Sequence, residues 1–168
     1  SIYLAEHGYS KGMIGWLWAL GVICEIGIFI KMPWIMSRFK LKTILVASLL
    51  IGVIRFSMMG LVPDHLGLLL LAQTMHAFTF GSFHAAAVEV VTQYFNGRHQ
   101  AKGQAIYNSV AYGIGGALGG LLGGFSLQYL GGQLTFTLAA LFPLLGAAIV
   151  MFGLHLSQPY ARSGMFSH

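Results

Sequence analysis

Glu25, Arg55, Gln73, His76 and His84 stand inside otherwise apolar runs of the chain. Charge at that depth is costly: on insertion scales a charged side chain at mid-membrane costs about 2.5–3.5 kcal/mol. Such groups persist where they face a bundle interior or an aqueous path, pairing with one another or meeting a polar solute, ion or proton. At about 100° per residue, Gln73, His76, Phe80 and His84 fall within about 80° of one another, so one helix face presents an amide, two imidazoles and an aromatic ring. With about 1.5 Å of rise per residue, Glu25 is expected about 20 Å from the outer end of its helix, Arg55 roughly 10 Å and His76 about 15 Å. An extended Arg55 then spans much of the gap to Glu25, with His76 between them. Two readings stand. In one, Glu25 and Arg55 form a static salt bridge that locks adjacent helices. In the other, at least one member contacts a substrate or changes its proton occupancy. Snorkelling accounts for Arg55 alone but poorly for Glu25. Histidine, with an ordinary pKa of about 6.5, makes His84 a proton carrier or, equally cheaply, a neutral imidazole hydrogen-bonded across helices. Glu89 lies nearer the basic end and reads as a gating or surface group.

Other chemistries lack support. His76 and His84 are two helical turns apart, and a metal site would need Glu25 from another helix, so no metal is expected. No phosphate-binding loop, dinucleotide-binding loop, HExxH pair or nucleophile elbow is present, which leaves no expectation of an enzyme or of a cofactor. Cys24, in an apolar run, implies neither a disulfide framework nor a thiolate metal site. The formal charge of +5 does not imply nucleic-acid binding, because no basic patch is interleaved with exposed aromatics.

The elements that carry these residues follow from composition. Hydrophobic residues make up 57% of the chain and charged residues 8%, against about 25% charged in an ordinary soluble domain. Apolar segments of roughly 20 residues recur, the length a helix needs to cross about 30 Å of hydrocarbon. They are too long for strands and lack the two-residue alternation of a barrel. The expected fold is an all-α membrane protein with five transmembrane helices, over residues 12–35, 43–61, 66–92, 103–125 and 134–154. Ser10 is the candidate cap of the first, and Pro143 is expected to kink the fifth. The third exceeds what a bilayer requires and implies tilt or extension.

Lysine and arginine set the orientation. Arg38, Lys40 and Lys42 follow the first segment, Arg98 and Lys102 the third, and Arg162 lies in the tail, while the two other loops carry neither residue type. By the positive-inside rule the basic face is cytoplasmic, with Ser1 external and His168 internal. An odd number of spans and a first residue that is not Met read as an internal start. In the fourth segment Gly115, Gly119 and Gly123 recur at four-residue spacing, with Gly116, Gly120 and Gly124 one position on. Small residues so spaced let a neighbouring backbone approach closely, so the row is expected to be a helix-packing surface.

Gly8-Tyr9-Ser10, Ile14-Gly15-Trp16-Leu17-Trp18-Ala19-Leu20-Gly21-Val22-Ile23-Cys24-Glu25, Gly52-Val53-Ile54-Arg55-Phe56 and Gln73-Thr74-Met75-His76 resemble the C-terminal half of a major facilitator superfamily transporter. The nearest subgroup is that of the bacterial phenylpropionic acid transporters and related proton-linked permeases. His84 and Gln104-Ala105-Ile106-Tyr107-Asn108-Ser109 extend the likeness into the fourth segment. The resemblance implies helices eight to twelve of a twelve-helix fold, whose N-terminal half completes the path. It further implies a multi-pass protein of the bacterial inner membrane that takes up a small organic solute with protons. That solute is an aromatic carboxylate binding Arg55 and aromatic side chains such as Phe80 or, alternatively, a nucleoside or sugar. An inactive truncated membrane subunit is the competing reading. Tyr107 joins the substrate or proton pathway by the same likeness. The family's acidic and glycine loop positions are here Ser37 and Lys40, so the familiar charge-relay gate is not expected at this loop.

Overall fold

Lys11–Arg38 forms one helix (α2) that starts where Ser10 caps it, its side chain accepting from the Met13 N–H at 3.2 Å. The computed structural model describes residues 2–95 and 97–155, which include no strand. A short helix, Ile2–Glu6 (α1), precedes α2, and Leu41–Leu61 (α3) follows it. The third rod is compound: Leu66–His76 (α4), a π-helical turn at Ala77–Ser82, and Phe83–Tyr94 (α5). A fourth begins with a 3₁₀ turn at Gly97–His99, then Gln100–Asn108 (α6), a second π turn at Ser109–Ile114, Gly115–Ala139 (α7) and Leu141–Gly153 (α8).

Four stretches are long and apolar enough to cross a membrane: Lys11–Arg38, Leu41–Leu61, Leu66–Tyr94 and Gly97–Gly153. The last holds 57 residues, about 85 Å of ideal helix and far more than one crossing. Gly131 resolves this. Its backbone takes φ 76° and ψ 170°, a conformation that glycine adopts without steric cost, and helical winding stops there. Thr135 Oγ1 donates to Ser126 Oγ at 2.9 Å across the break, a contact that nine residues of straight helix forbid. The chain therefore turns back at Gly131.

Four contacts fix the returning rod antiparallel to α3. Gly60 lies against Gln133 and Thr137, Gly52 against Pro143, and Leu49 against Gly146, while Lys42 Nζ donates to the Leu154 carbonyl at 2.9 Å. Pro143 bears on the helix break between α7 and α8. It has no N–H for the carbonyl of Ala139, and its ring crowds that carbonyl, so regular winding is interrupted at Ala140. Ser48 and Ser82 hold α3 to the π turn of the third rod, with their hydroxyls 2.7 Å apart. Two apolar cores result, one near the basic end (Met32, Leu41, Ile44, Leu45, Ala86) and one at the far end (Leu4, Ile14, Leu17, Leu69). Large apolar side chains elsewhere, among them Trp16, Ile30, Leu121 and Phe152, point away from the bundle, as lipid-facing groups do.

The glycine row, expected to be a helix-packing surface, meets no neighbouring helix among the described residues. Nothing among the described residues lies within 4 Å of a side chain built at Gly116, Gly119, Gly120, Gly123 or Gly124, and Gly115 meets only the Val110 carbonyl. Close helix approach occurs instead at Gly21, Gly52, Gly60 and Gly81. Arg162, counted above with the basic face, lies outside the described residues, as do Ser1 and His168.

Candidate functional site

Between the two apolar cores α2, α3 and the third rod bring their polar groups together. Gly21 allows α2 to approach α4 closely, since a Cβ there would stand 3.5 Å from Gln73 Oε1 and 3.6 Å from the His76 ring. One turn on, Glu25 packs against the π turn at Gly81, whose missing side chain leaves room for the Glu25 Cγ. Glu25 Oε2 thus comes to 3.8 Å from His76 Nε2. That separation is too long for a hydrogen bond and within ion-pair reach of a protonated imidazole. His76 Nδ1 is buried with no partner among the described residues.

Arg55 does not reach Glu25. Its Nε donates to the Ala72 carbonyl at 3.1 Å and its guanidinium carbon stands 5.3 Å from the centre of the Phe56 ring. The static Glu25–Arg55 bridge is therefore absent, and among the described residues the only carboxylate–cation approach is that of Glu25 to His76. Arg55 and His76 instead line two cavities in common. One, of about 320 Å³, extends toward α1 and is walled by Tyr3, Trp18, Met59, Gln73 and Phe136. The other, of about 460 Å³, runs toward α8 and is walled by Phe56, Phe80, Phe83, Phe142 and Pro143. At the first, Tyr3 from α1 seats its ring on Gly132 and beside Phe136. Burial, with Asp64 and Glu6 nearby, pushes the Tyr3 phenol above its ordinary range, so it stays protonated at neutral pH.

The polar column expected along the third rod is present and straighter than an α-helix would make it. His76 stacks on Phe80 with ring centres 5.6 Å apart and planes 14° apart, and Phe80 stacks on His84 at 6.0 Å and 8°. Four residues of α-helix overshoot one turn, whereas the wider i→i+5 winding of the π turn rotates less per residue and cancels the drift. The second π turn brings in a residue that periodicity misses. Tyr107 and Tyr112 stand five apart, on different sides of an α-helix, yet here their rings meet edge-on at 6.1 Å. Tyr112 Oη lies 2.7 Å from His84 Nδ1, and Tyr107 stacks on the same imidazole at 6.2 Å. Sequence reasoning passed over Tyr112, and also Trp18, Met59 and Phe136 as cavity walls. Glu89 accepts from Gln93 Nε2 at 3.2 Å, one turn along its own helix and away from the cluster.

Residues 1–138 match the MFS_1 like family. The chain belongs to that family. It is 34% identical over 131 residues to the Probable 3-phenylpropionic acid transporter of Escherichia coli (strain K12), covering 78% of this chain and 34% of that protein. It is 25% identical over 116 residues to the Xanthosine permease of the same organism, covering 67% of this chain and 28% of the permease. The chain thus spans about a third of the length of the curated relatives it matches. No solved structure matches. Membership of this transporter family, with helices built for hydrocarbon, makes the chain part of a multi-pass membrane protein.

Proposed function

We propose that these spans form one wall of the solute path in a proton-coupled secondary transporter of a bacterial inner membrane. The carrying observation is the cavity of about 460 Å³ that has Arg55 and His76 at its polar end and Phe56, Phe80, Phe83 and Phe142 around it. A guanidinium beside aromatic walls suits a small aromatic carboxylate: the carboxylate takes guanidinium N–H groups, and the ring packs among the phenylalanines. The relative named for 3-phenylpropionic acid supports the same chemistry. Phe80 has imidazoles stacked on both faces, so it offers its edge rather than a face to a bound ring.

In this reading the proton resides on the Glu25–His76 pair. A proton taken by His76 creates an imidazolium opposite the Glu25 carboxylate and draws α2 and the third rod together. Its release leaves a carboxylate beside a neutral ring and loosens that contact. Coupling follows because Arg55 and His76 share both cavities, so solute charge at Arg55 disfavours protonation changes that leave the cluster unbalanced. The end bearing Arg38, Lys40 and Lys42 faces the cytoplasm. The relative named for xanthosine favours a second reading, a nucleoside held by hydrogen bonds to Gln73 and to the unpaired His76 Nδ1.

Uptake into proteoliposomes with an imposed pH gradient separates the two readings, with labelled 3-phenylpropionate and xanthosine as the solutes. Glu25→Gln is expected to abolish gradient-driven accumulation while retaining downhill exchange. Normal accumulation by Glu25→Gln would sink the proton-site assignment, and uptake of xanthosine alone would transfer the solute assignment to the nucleoside.

A further inference from the structure

A third cavity lies away from the polar cluster, on the flank where α2, α3 and the first π turn meet near the basic end. It encloses about 290 Å³ and is walled by Ile35, Phe39, Ile44, Ala47, Ile51 and Phe78. The hydroxyls at its floor, Ser48 and Ser82, satisfy each other at 2.7 Å and leave the surface apolar. From Thr43 to Ile51 the α3 wall rises about 12 Å, most of the depth of one leaflet of a hydrocarbon core of about 30 Å. Phe39 and Phe78 remain exposed along it.

The mouth is charged. Phe39 closes the end of the groove, in extended backbone at φ −122° and ψ 145°, directly between Arg38 and Lys40. Among the described residues neither cation has a carboxylate within 4.0 Å. Lys42, one position past the first residue of α3, donates one of its N–H groups to the Leu154 carbonyl. Arg38 lies 5.9 Å from the centre of the Trp34 ring, and tryptophan is enriched where headgroups meet acyl chains. An apolar slot about 12 Å deep, opening between two unpaired cations, has the shape and charge of a two-part ligand with an acyl tail and an anionic head.

We propose that this groove is a binding site for an anionic diacyl phospholipid, with one acyl chain lying along Ala47 and Ile51 and the phosphate held by Arg38 and Lys40. A bound lipid would brace α2 against α3 at the end of the bundle where the apolar core formed by Met32, Leu41 and Leu45 is located.

Native mass spectrometry of the purified chain in neutral detergent tests this, with phosphatidylglycerol and phosphatidylcholine of identical chains added at equal concentration. The wild type is expected to retain phosphatidylglycerol preferentially. Arg38→Gln with Lys40→Gln should reduce that preference by roughly fivefold or more while leaving weak retention of both lipids. Ala47→Leu fills the groove from an exposed position and should lower retention of both lipids, with helicity by circular dichroism unchanged. Ile51→Phe, judged by the same two measurements, replaces it if Ala47→Leu alters helicity. Equal retention of the two lipids by the wild type would overturn the proposal. So would undiminished phosphatidylglycerol binding in a folded groove variant, or full displacement by glycerol phosphate, which has the head without the tails.

Discussion

Replacing Gly60 by Ala probes the closest approach of α3 to the returning rod. A Cβ at this position would stand 2.5 Å from Thr137 Oγ1 and 2.9 Å from both the Gln133 carbonyl oxygen and the Thr137 nitrogen. Thr137 can turn its hydroxyl aside at the cost of its bond to the Gln133 carbonyl, 2.8 Å long. The two backbone atoms cannot turn aside. Restoring ordinary contact requires α3 and the returning rod to part by about half an ångström. A gap of that size forfeits about a quarter of the dispersion energy at each neighbouring contact, including Gly52 on Pro143 and Leu49 on Gly146. Overpacking of this kind costs about 1–3 kcal/mol. Gly119→Ala is the control, because nothing lies within 4 Å of its added methyl. Unfolding by denaturing detergent in mixed micelles, followed by circular dichroism, should show a lower midpoint for Gly60→Ala and an unchanged or slightly higher one for Gly119→Ala. Equal midpoints for the two variants would refute the assignment of the tight interface to α3 and the returning rod, and a loss confined to Gly119→Ala would return it to the glycine row.

Ser82→Ala should cost about 1–3 kcal/mol by leaving the buried Ser48 hydroxyl without its partner, and adding Ser48→Ala should recover much of that loss, read as detergent-unfolding midpoints. Orientation is open to cysteine labelling with Cys24 replaced by Ala: Asp64→Cys should react with an impermeant maleimide in intact cells, and Lys40→Cys only after the membrane is opened. External labelling at position 40 would reverse the proposed topology.

The alternation of apolar segments with basic loops was legible residue by residue, because insertion into hydrocarbon depends on local length and hydropathy. Ser10 as a cap was legible for a similar reason, since the cap bonds within its own first turn. The cost of burying charge likewise singled out Glu25, Arg55 and His76 without any knowledge of their neighbours. Which groups meet was another matter. In water an amphipathic stripe tells which face of a helix is inside, but a helix in lipid is apolar on the core side and the lipid side alike. Periodicity therefore left undecided that the glycine row of α7 would stand open while Gly60 and Gly52 took the close contacts. It also left open whether Glu25 would face Arg55 or His76. Rotation of α2 about its axis, set by the notches at Gly21 and Gly81, decided for His76. The two π turns escaped notice because they shift helical phase without changing apolar composition. Tyr112 reaches His84, and Phe80 lies flat between two imidazoles, in the phase that the π turns set.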